Sequence, residues 1–357
     1  MNKLTRWLPA LVAPVVIVGA AIAIPALASA DSPLPSKSPQ QVLGLVAKSQ
    51  HAAYSGTVIQ TSELGLPDLT ALRNQGGAAG ASGDGLVDLL TASHTAKVYT
   101  DGDSKQRVQV LDSLAERDVV RSGNSVWLYD SSDKQATHLT LSGEDGGAKT
   151  PAPDVTPAQI AADLVKQLEP TTSFDVTTND RVAGRATYRL TLTPKTDGTL
   201  VHDATVAVDA STGVPLEVSV YAKGQAKPAV TVAFSSISYG APSAELFAFT
   251  PPKGVEVHDG AAPTRSGERV QAQPKPTVTG SGWAAIAELP AGTLDLAQLT
   301  SGTAQSGDPD ASELLGLLQA VPGGRGAQTA LVSLLITDDG RALAGAVPLS
   351  ALEAAAR

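Results

Sequence analysis

Across residues 201–221, VHDATVAVDASTGVPLEVSVY, apolar and polar side chains alternate with period two on both sides of a short turn. Ala204, Val206 and Val208 share one face of a first strand and Asp203, Thr205 and Ala207 the other. Val214, Leu216, Val218 and Val220 alternate with Pro215, Glu217, Ser219 and Tyr221 in a second. This is the pattern of paired strands with one buried face. The connection Asp209-Ala210-Ser211-Thr212-Gly213 begins with a carboxylate able to cap the turn and ends in the residue that best tolerates a positive φ. The same alternation predicts strands over 54–61, 94–100, 105–111, 115–122, 125–130 and 135–141, then over 173–181, 185–193, 201–209, 214–222 and 229–237, with 247–249 closing the series.

Helical periodicity appears before and between these two runs. Ser38-Pro39-Gln40-Gln41 has the layout of a capping box and opens a helix with Val42, Leu45 and Val46 on one face. Thr156-Pro157-Ala158-Gln159 repeats the layout and opens a stripe of Ile160, Leu164, Val165 and Leu168 that Pro170 ends. An insertion over 62–92 holds a Gly/Ala/Ser tract and a short apolar helix candidate, LVDLL, around Leu89. Eleven strands in two runs with few crossovers must be antiparallel neighbours. A sheet that wide curls, and helices gathered on one face make the architecture α+β.

Beyond it, 259–281 reads as a linker rich in Pro, Gly, Thr and charge, and 282–357 as a small C-terminal α/β unit. That unit has a strand over 283–289, a helix candidate over 310–321 with Leu314, Leu315 and Leu318, two strands over 327–337 and 342–348 flanking the turn Asp338-Asp339-Gly340-Arg341, and a helix over 350–356. So short a unit rarely builds a robust core alone and is expected to dock on the large sheet.

At the other end, Lys3 and Arg6 precede an almost wholly apolar run over 8–27, and Ala28-Ser29-Ala30 supplies small residues before Asp31. Residues 1–30 therefore read as a signal peptide, followed by a Pro/Ser linker over 31–37. Three prolines, Pro9, Pro14 and Pro25, weaken a continuous helix, so cleavage is favoured over retention as an N-terminal anchor. Either outcome places the remainder outside the cytoplasm. The chain carries 26 basic and 35 acidic residues, a formal charge of −9. Loss of Lys3 and Arg6 would leave 24 against 35, or −11, a surface that as a whole repels nucleic-acid phosphates and anionic lipid headgroups. Hydrophobic residues at 42% against 17% charged are enough for a core, aromatics at 4% are too few for a stacking platform, and the absence of cysteine excludes disulfides and thiolate metal sites.

Three segments carry a family resemblance. The hairpin at 201–221, the preceding strand pair VAGRATYRLTLTPK at 182–195, and FAFTPPKGVEV at 247–257 resemble, in that order, segments of the LolA-like lipoprotein-carrier family, which includes RseB-like sensors. LGLPDL at 64–69 is similar to actinobacterial members that lengthen this loop. The resemblance spans 38–258 and implies a curved antiparallel half-barrel of about eleven strands with helices lidding the concave face. It also implies an extracytoplasmic, non-enzymatic protein, either a carrier for a lipid, acyl chain or lipoprotein, or an RseB-like envelope-stress regulator gripping a membrane partner. The corresponding partners are acyl chains, an ABC transporter, or an anti-sigma factor, with the protein itself a monomer and no cofactor.

The residues agree with the absence of catalysis. His51, His94, His138, His202 and His258 are scattered singly, none in a two-ligand spacing, and no G-x-S-x-G elbow occurs. GASGDG at 80–85 has neither a feeding strand nor a following lysine and reads as flexible linker. The apolar stripes admit two readings, plain packing on the sheet or the walls of a dry cavity, and periodicity does not separate them. With the resemblance tipping the balance to a cavity, the candidate lining is Val42, Leu45, Val46, Leu89, Tyr99, Trp127, Ile160, Leu164 and Leu168.

Overall fold

The computed structural model describes residues 34–65, 93–102, 104–111, 116–141, 165–261, 276–291 and 318–357. The expected signal peptide, most of the 62–92 insertion with Leu89, the Thr156 cap with Ile160 and Leu164, and residues 310–317 lie outside them.

The first helix, α1 (Pro39–Lys48), starts where expected. Ser38 Oγ accepts from Gln41 N at 3.3 Å, and Gln41 Oε1 accepts from Ser38 N at 2.8 Å, a complete capping box with Pro39 in the first turn. Eleven strands follow: β1 (Ala53–Ser62), β2 (His94–Asp101), β3 (Lys105–Leu111), β4 (Glu116–Ser122), β5 (Ser125–Asp130), β6 (Gln135–Thr140), β7 (Thr172–Val182), β8 (Arg185–Pro194), β9 (Val201–Asp209), β10 (Pro215–Ala222) and β11 (Pro228–Tyr239). The two runs join through β1, which pairs antiparallel with both β2 and β11.

A twelfth strand, β12 (Glu256–Ala261), corrects the expected end of this sheet. No strand forms at 247–249; a 3-10 turn, Ala244–Phe247, crosses the outer face instead, and β12 then pairs parallel with β6. Glu-Val-His-Asp-Gly-Ala carries a turn-forming Asp-Gly and no clear alternation, so it reads as linker. The exposed edge of β6 supplies the pairing that local sequence does not. The sheet order is β12-β6-β5-β4-β3-β2-β1-β11-β10-β9-β8-β7, open at both edges. It is strongly curved. Val182 and Ala183, at the end of β7, belong to one cluster with Phe234 of β11 and Tyr54 of β1, four and five strands away.

The C-terminal unit is a six-stranded antiparallel sheet ordered β13-β14-β18-β17-β16-β15, made of β13 (Thr277–Thr279), β14 (Ile286–Leu289), β15 (Gln319–Val321), β16 (Gly324–Gln328), β17 (Ser333–Thr337) and β18 (Ala342–Gly345), with α2 (Leu349–Ala355) against it. Three expectations change here. Residues 319–321, read as the end of a helix, are strand β15, and the apolar pattern at Leu318 reflects burial beside a sheet. Trp283 sits in a 3-10 turn, Gly282–Ala284, ahead of β14. The run 327–337 splits into β16 and β17 because Thr329 turns the chain, its hydroxyl accepting from Leu331 N and Val332 N.

The unit docks on one rim of the half-barrel. Leu331 shares a cluster with Val201, Ala222 and Ala229. Ala346 O accepts from Leu200 N at 2.8 Å and Thr199 Oγ1 at 2.7 Å, Leu64 O accepts from Ala330 N at 2.8 Å, and Trp283 Nε1 donates to Thr172 Oγ1 at 2.8 Å.

Candidate functional site

The β9–β10 connection that stands out in the sequence is a polar hub. The Asp209 carboxylate is buried and accepts from Ser211 N (2.8 Å), Thr212 N (3.0 Å), Arg185 Nε (2.6 Å) and Nη2 (3.3 Å), and Tyr239 Oη (3.0 Å). Burial opposes its ionisation. The Arg185 hydrogen bonds and the two turn N–H groups outweigh that and hold the carboxyl below its ordinary range. The hub seats α1: Ser49 Oγ donates to Gly213 O at 2.9 Å, and Val42 packs on Tyr188, Leu190 and Val208 with Leu45 and Val46 beside it.

Register carries the side of the sheet under α1 across the whole half-barrel. Leu190 opposes Val206, which opposes Val218, then Val232. Val232 and Phe234 share a face and a cluster with Tyr54, Val58 and Val98. From Val98 the same face runs through Val108, Val119 and Leu128 to Thr137. A second row, Thr100–Gln106–Arg121–Val126–Leu139, flanks it on one side, and Val110–Arg117–Asp130–Gln135 on the other. The face of β2–β6 that register joins to the α1 side, termed inner, is thus an apolar floor. Val98, Val108, Val110 and Val119 are half-buried, whereas Val126, Leu128 and Leu139 are buried.

The candidate lining residues divide between the two faces. Val42 has no exposed surface and is close-packed with Tyr188 and Leu190, so this part of the α1 stripe is core. Leu168 is half-buried at the end of a helical turn over 165–168. Tyr99 and Trp127 correct the sequence reading, which grouped them with α1. Tyr99 opposes Ser55 and Trp127 opposes His138 and Val120, all on the outer face. A one-residue change of position along a strand reverses the face, and only pairing through β1 and β11 sets which one α1 covers. The floor residues Val98, Val108, Val119 and Leu128 were missed as a group, although each shows in the period-two pattern of its own strand.

On the outer face Trp127 stacks on His138 (centroids 4.4 Å apart), with Phe249 tilted over Trp127 and Tyr129. Ser125 Oγ lies 2.8 Å from His138 Nε2, and His138 Nδ1 lies 3.3 Å from Asp259 Oδ1. The order serine, histidine, aspartate is that of a nucleophile, its base and an orienting acid. The setting differs from such a site. Asp259 is 86% exposed, so water screens its hold on the ring, and Ser125 lies in the strand ladder diagonal to His138. The line ties β12 to β6. Among the described residues no group of histidine, aspartate and glutamate could hold a metal ion.

Beneath the strap formed by residues 244–249, Asp118 pairs with Arg107 (Nη2 at 2.5 Å), whose Nη1 also donates to Leu246 O at 3.4 Å. Burial pushes the Asp118 carboxyl up to about 6, against the opposing pull of Arg107. A carboxyl raised above its unfolded value favours the folded state when protonated. Its contribution is complete below about pH 4 and is lost as pH rises through about 6. Compared with Asp118→Asn, the parent protein is expected to lose on the order of 1 kcal/mol of stability between pH 4 and 7, after allowance for screening. Parallel urea titrations of the two proteins check this, and coincident pH profiles would refute it.

Residues 88–252 match the family model described as the MucB/RseB N-terminal domain. Among solved structures, MucB in the Pseudomonas aeruginosa MucA/MucB complex is 17% identical, with 88% of this chain and 96% of that one covered and a TM-score of 0.45. LprF from Mycobacterium bovis is 10% identical, with 61% and 97% covered and a TM-score of 0.26. A LolA superfamily protein from Nitrosomonas europaea is 13% identical, with 60% and 99% covered and a TM-score of 0.24. Comparison with curated proteins gives no match. Residues 88–252 are thus similar to a MucB/RseB N-terminal domain, within the stretch 38–258 that carries the LolA-like/RseB-like resemblance.

Proposed function

We propose that this protein is an extracytoplasmic, non-enzymatic binding protein that holds an acyl chain, of a lipid or a lipoprotein, on the apolar inner floor of β2–β6. The observation that carries this reading is the row Val98–Val108–Val119–Leu128, apolar on four successive strands and only half-buried on three of them. Each methylene withdrawn from water onto such a floor contributes about 0.8 kcal/mol, so one long chain is held firmly. The match to the MucB/RseB N-terminal domain supports a binding role, and the targeting pattern over 1–30 supports export. Solvent extraction and mass spectrometry of the exported protein are expected to recover about one acyl lipid per chain. Val119→Asp, which sets a carboxylate on the floor, is expected to lose it. A parent protein that carries no lipid and takes up no added acyl chain would remove this reading.

A second reading has its own support. The C-terminal sheet docks by four hydrogen bonds and a shared apolar cluster, a rigid addition that a one-domain carrier does not need. It suits an RseB-like regulator that grips a membrane partner such as an anti-sigma factor. Capture of a single-pass membrane protein that requires the 276–357 unit distinguishes this role from carriage alone.

A further inference from the structure

The inner floor is not uniformly apolar, and a cation, Arg121, lies beside the acyl row. Arg121 on β4 is two residues from Val119, on the same face, opposite Gln106 of β3 and Val126 of β5. Its Nε donates to Gly123 O at 3.1 Å, which fixes the guanidinium plane against the β4–β5 turn. Among the described residues neither of its Nη atoms has a partner. The remaining polar side chains of that row are neutral: Gln106, and Thr100, whose hydroxyl donates to Gly102 O. The acids of this face lie in the row on the far side of Val119. Asp130 is turned into its own loop, accepting from Ser132 N and Asp133 N, with Arg117 opposite it, and Glu256 of β12 is at the same level. One apolar row is therefore bordered on one side by a guanidinium whose two Nη atoms have no partner among the described residues, and on the other by Asp130, engaged with its own loop, and Glu256.

Resting on the acyl-binding reading above, we propose that the ligand is a single-chain lipid with an acidic head. Its chain lies across β2–β5 on Val98, Val108, Val119 and Leu128, and its head is received by the Nη atoms of Arg121. Two arguments fix this class. The row is one side chain wide and four strands long, roughly 14 Å at the usual strand spacing, a strip for one chain. A guanidinium held through Nε presents its two Nη donors to an anion as a fork, the geometry that carboxylates and phosphates accept. A neutral lipid would leave that cation unpaired beside apolar surface, which is unfavourable.

The test uses the full chain and a fluorescent polyene fatty acid, with its methyl ester as the neutral control. The acid is expected to bind at least tenfold more tightly than the ester. Arg121→Gln is expected to abolish that preference while leaving ester affinity within twofold, and Arg121→Lys, which keeps charge but not the fork, to retain part of it. Raised salt is expected to weaken the acid alone. Equal binding of acid and ester by the parent protein, or an acid preference that survives in Arg121→Gln, overturns the assignment of the head group while leaving the acyl floor standing. Failure of both probes to bind overturns the floor as well. Should Arg121→Gln fold poorly, the ratio of acid to ester affinity in Arg121→Lys decides: a ratio equal to that of the parent protein refutes the fork.

Discussion

Replacement of Asp209 by Ala is expected to destabilise the protein by about 3–5 kcal/mol, the range for breaking a buried ion pair by removing one partner. The carboxylate gathers five hydrogen bonds from Arg185, Tyr239 and two turn amides, and Arg185 also sits over the Tyr239 ring at 5.0 Å. Its removal strands a guanidinium and two turn N–H groups at once. Asp209→Asn keeps the turn acceptor but not the charge, and is expected to cost about half as much. The sign of the pH effect is opposite to that at Asp118. Here the folded carboxyl is held below its ordinary value, so its stabilisation is present above about pH 4 and is lost as pH falls through the lowered value. Urea denaturation at pH 7 and in acid reads both. A cost below about 1 kcal/mol for Asp209→Ala at pH 7 would show that the hub is dispensable.

Gly213→Val is expected to be nearly as damaging and to act on α1. Gly213 has φ of 81°, and a Cβ there would meet Leu45 O at 2.4 Å and Leu45 C at 2.7 Å. The left-handed backbone costs a branched residue roughly 1–2 kcal/mol, and overpacking against α1 adds roughly 1–3 kcal/mol. The contact is with main chain, so the helix itself must shift, and Ser49 loses its bond to Gly213 O. Hydrogen exchange is expected to quicken in α1 while β2–β5 keep their protection. Uniform loss of protection across the sheet would mean that α1 and the half-barrel unfold as one unit. Unchanged exchange in α1 would mean that the helix does not depend on this contact.

The strands themselves were largely legible. Residues 105–111, 125–130 and 201–209 were bounded to the residue, because period-two alternation between turn-forming residues is a local signal. The capping box at Ser38 was legible for the same reason, since its two hydrogen bonds join residues three apart. Strand β12 was not, because its pairing with β6 comes from an edge more than a hundred residues earlier in the chain. Residues 319–321 looked helical because a short apolar cluster carries no reliable period.

The candidate site shows the same boundary more sharply. Local pattern suffices to tell which side chains of each strand share a face, that Asp209 and Gly213 shape the turn, and that a helix begins at Ser38. These depend on bonds and side-chain spacing within a few residues. Which faces combine was decided only by the tertiary structure. The pairing of β1 with β11, Tyr54 against Tyr239, sets Val98 and Val119 on the side that α1 covers and sends Trp127 and Tyr99 to the other. A shift of one residue in that register would exchange the two sets. The register is held by Tyr54, Phe234 and the β11 bulge opposite Thr57 and Val58, contacts between residues about 180 positions apart that no local pattern encodes.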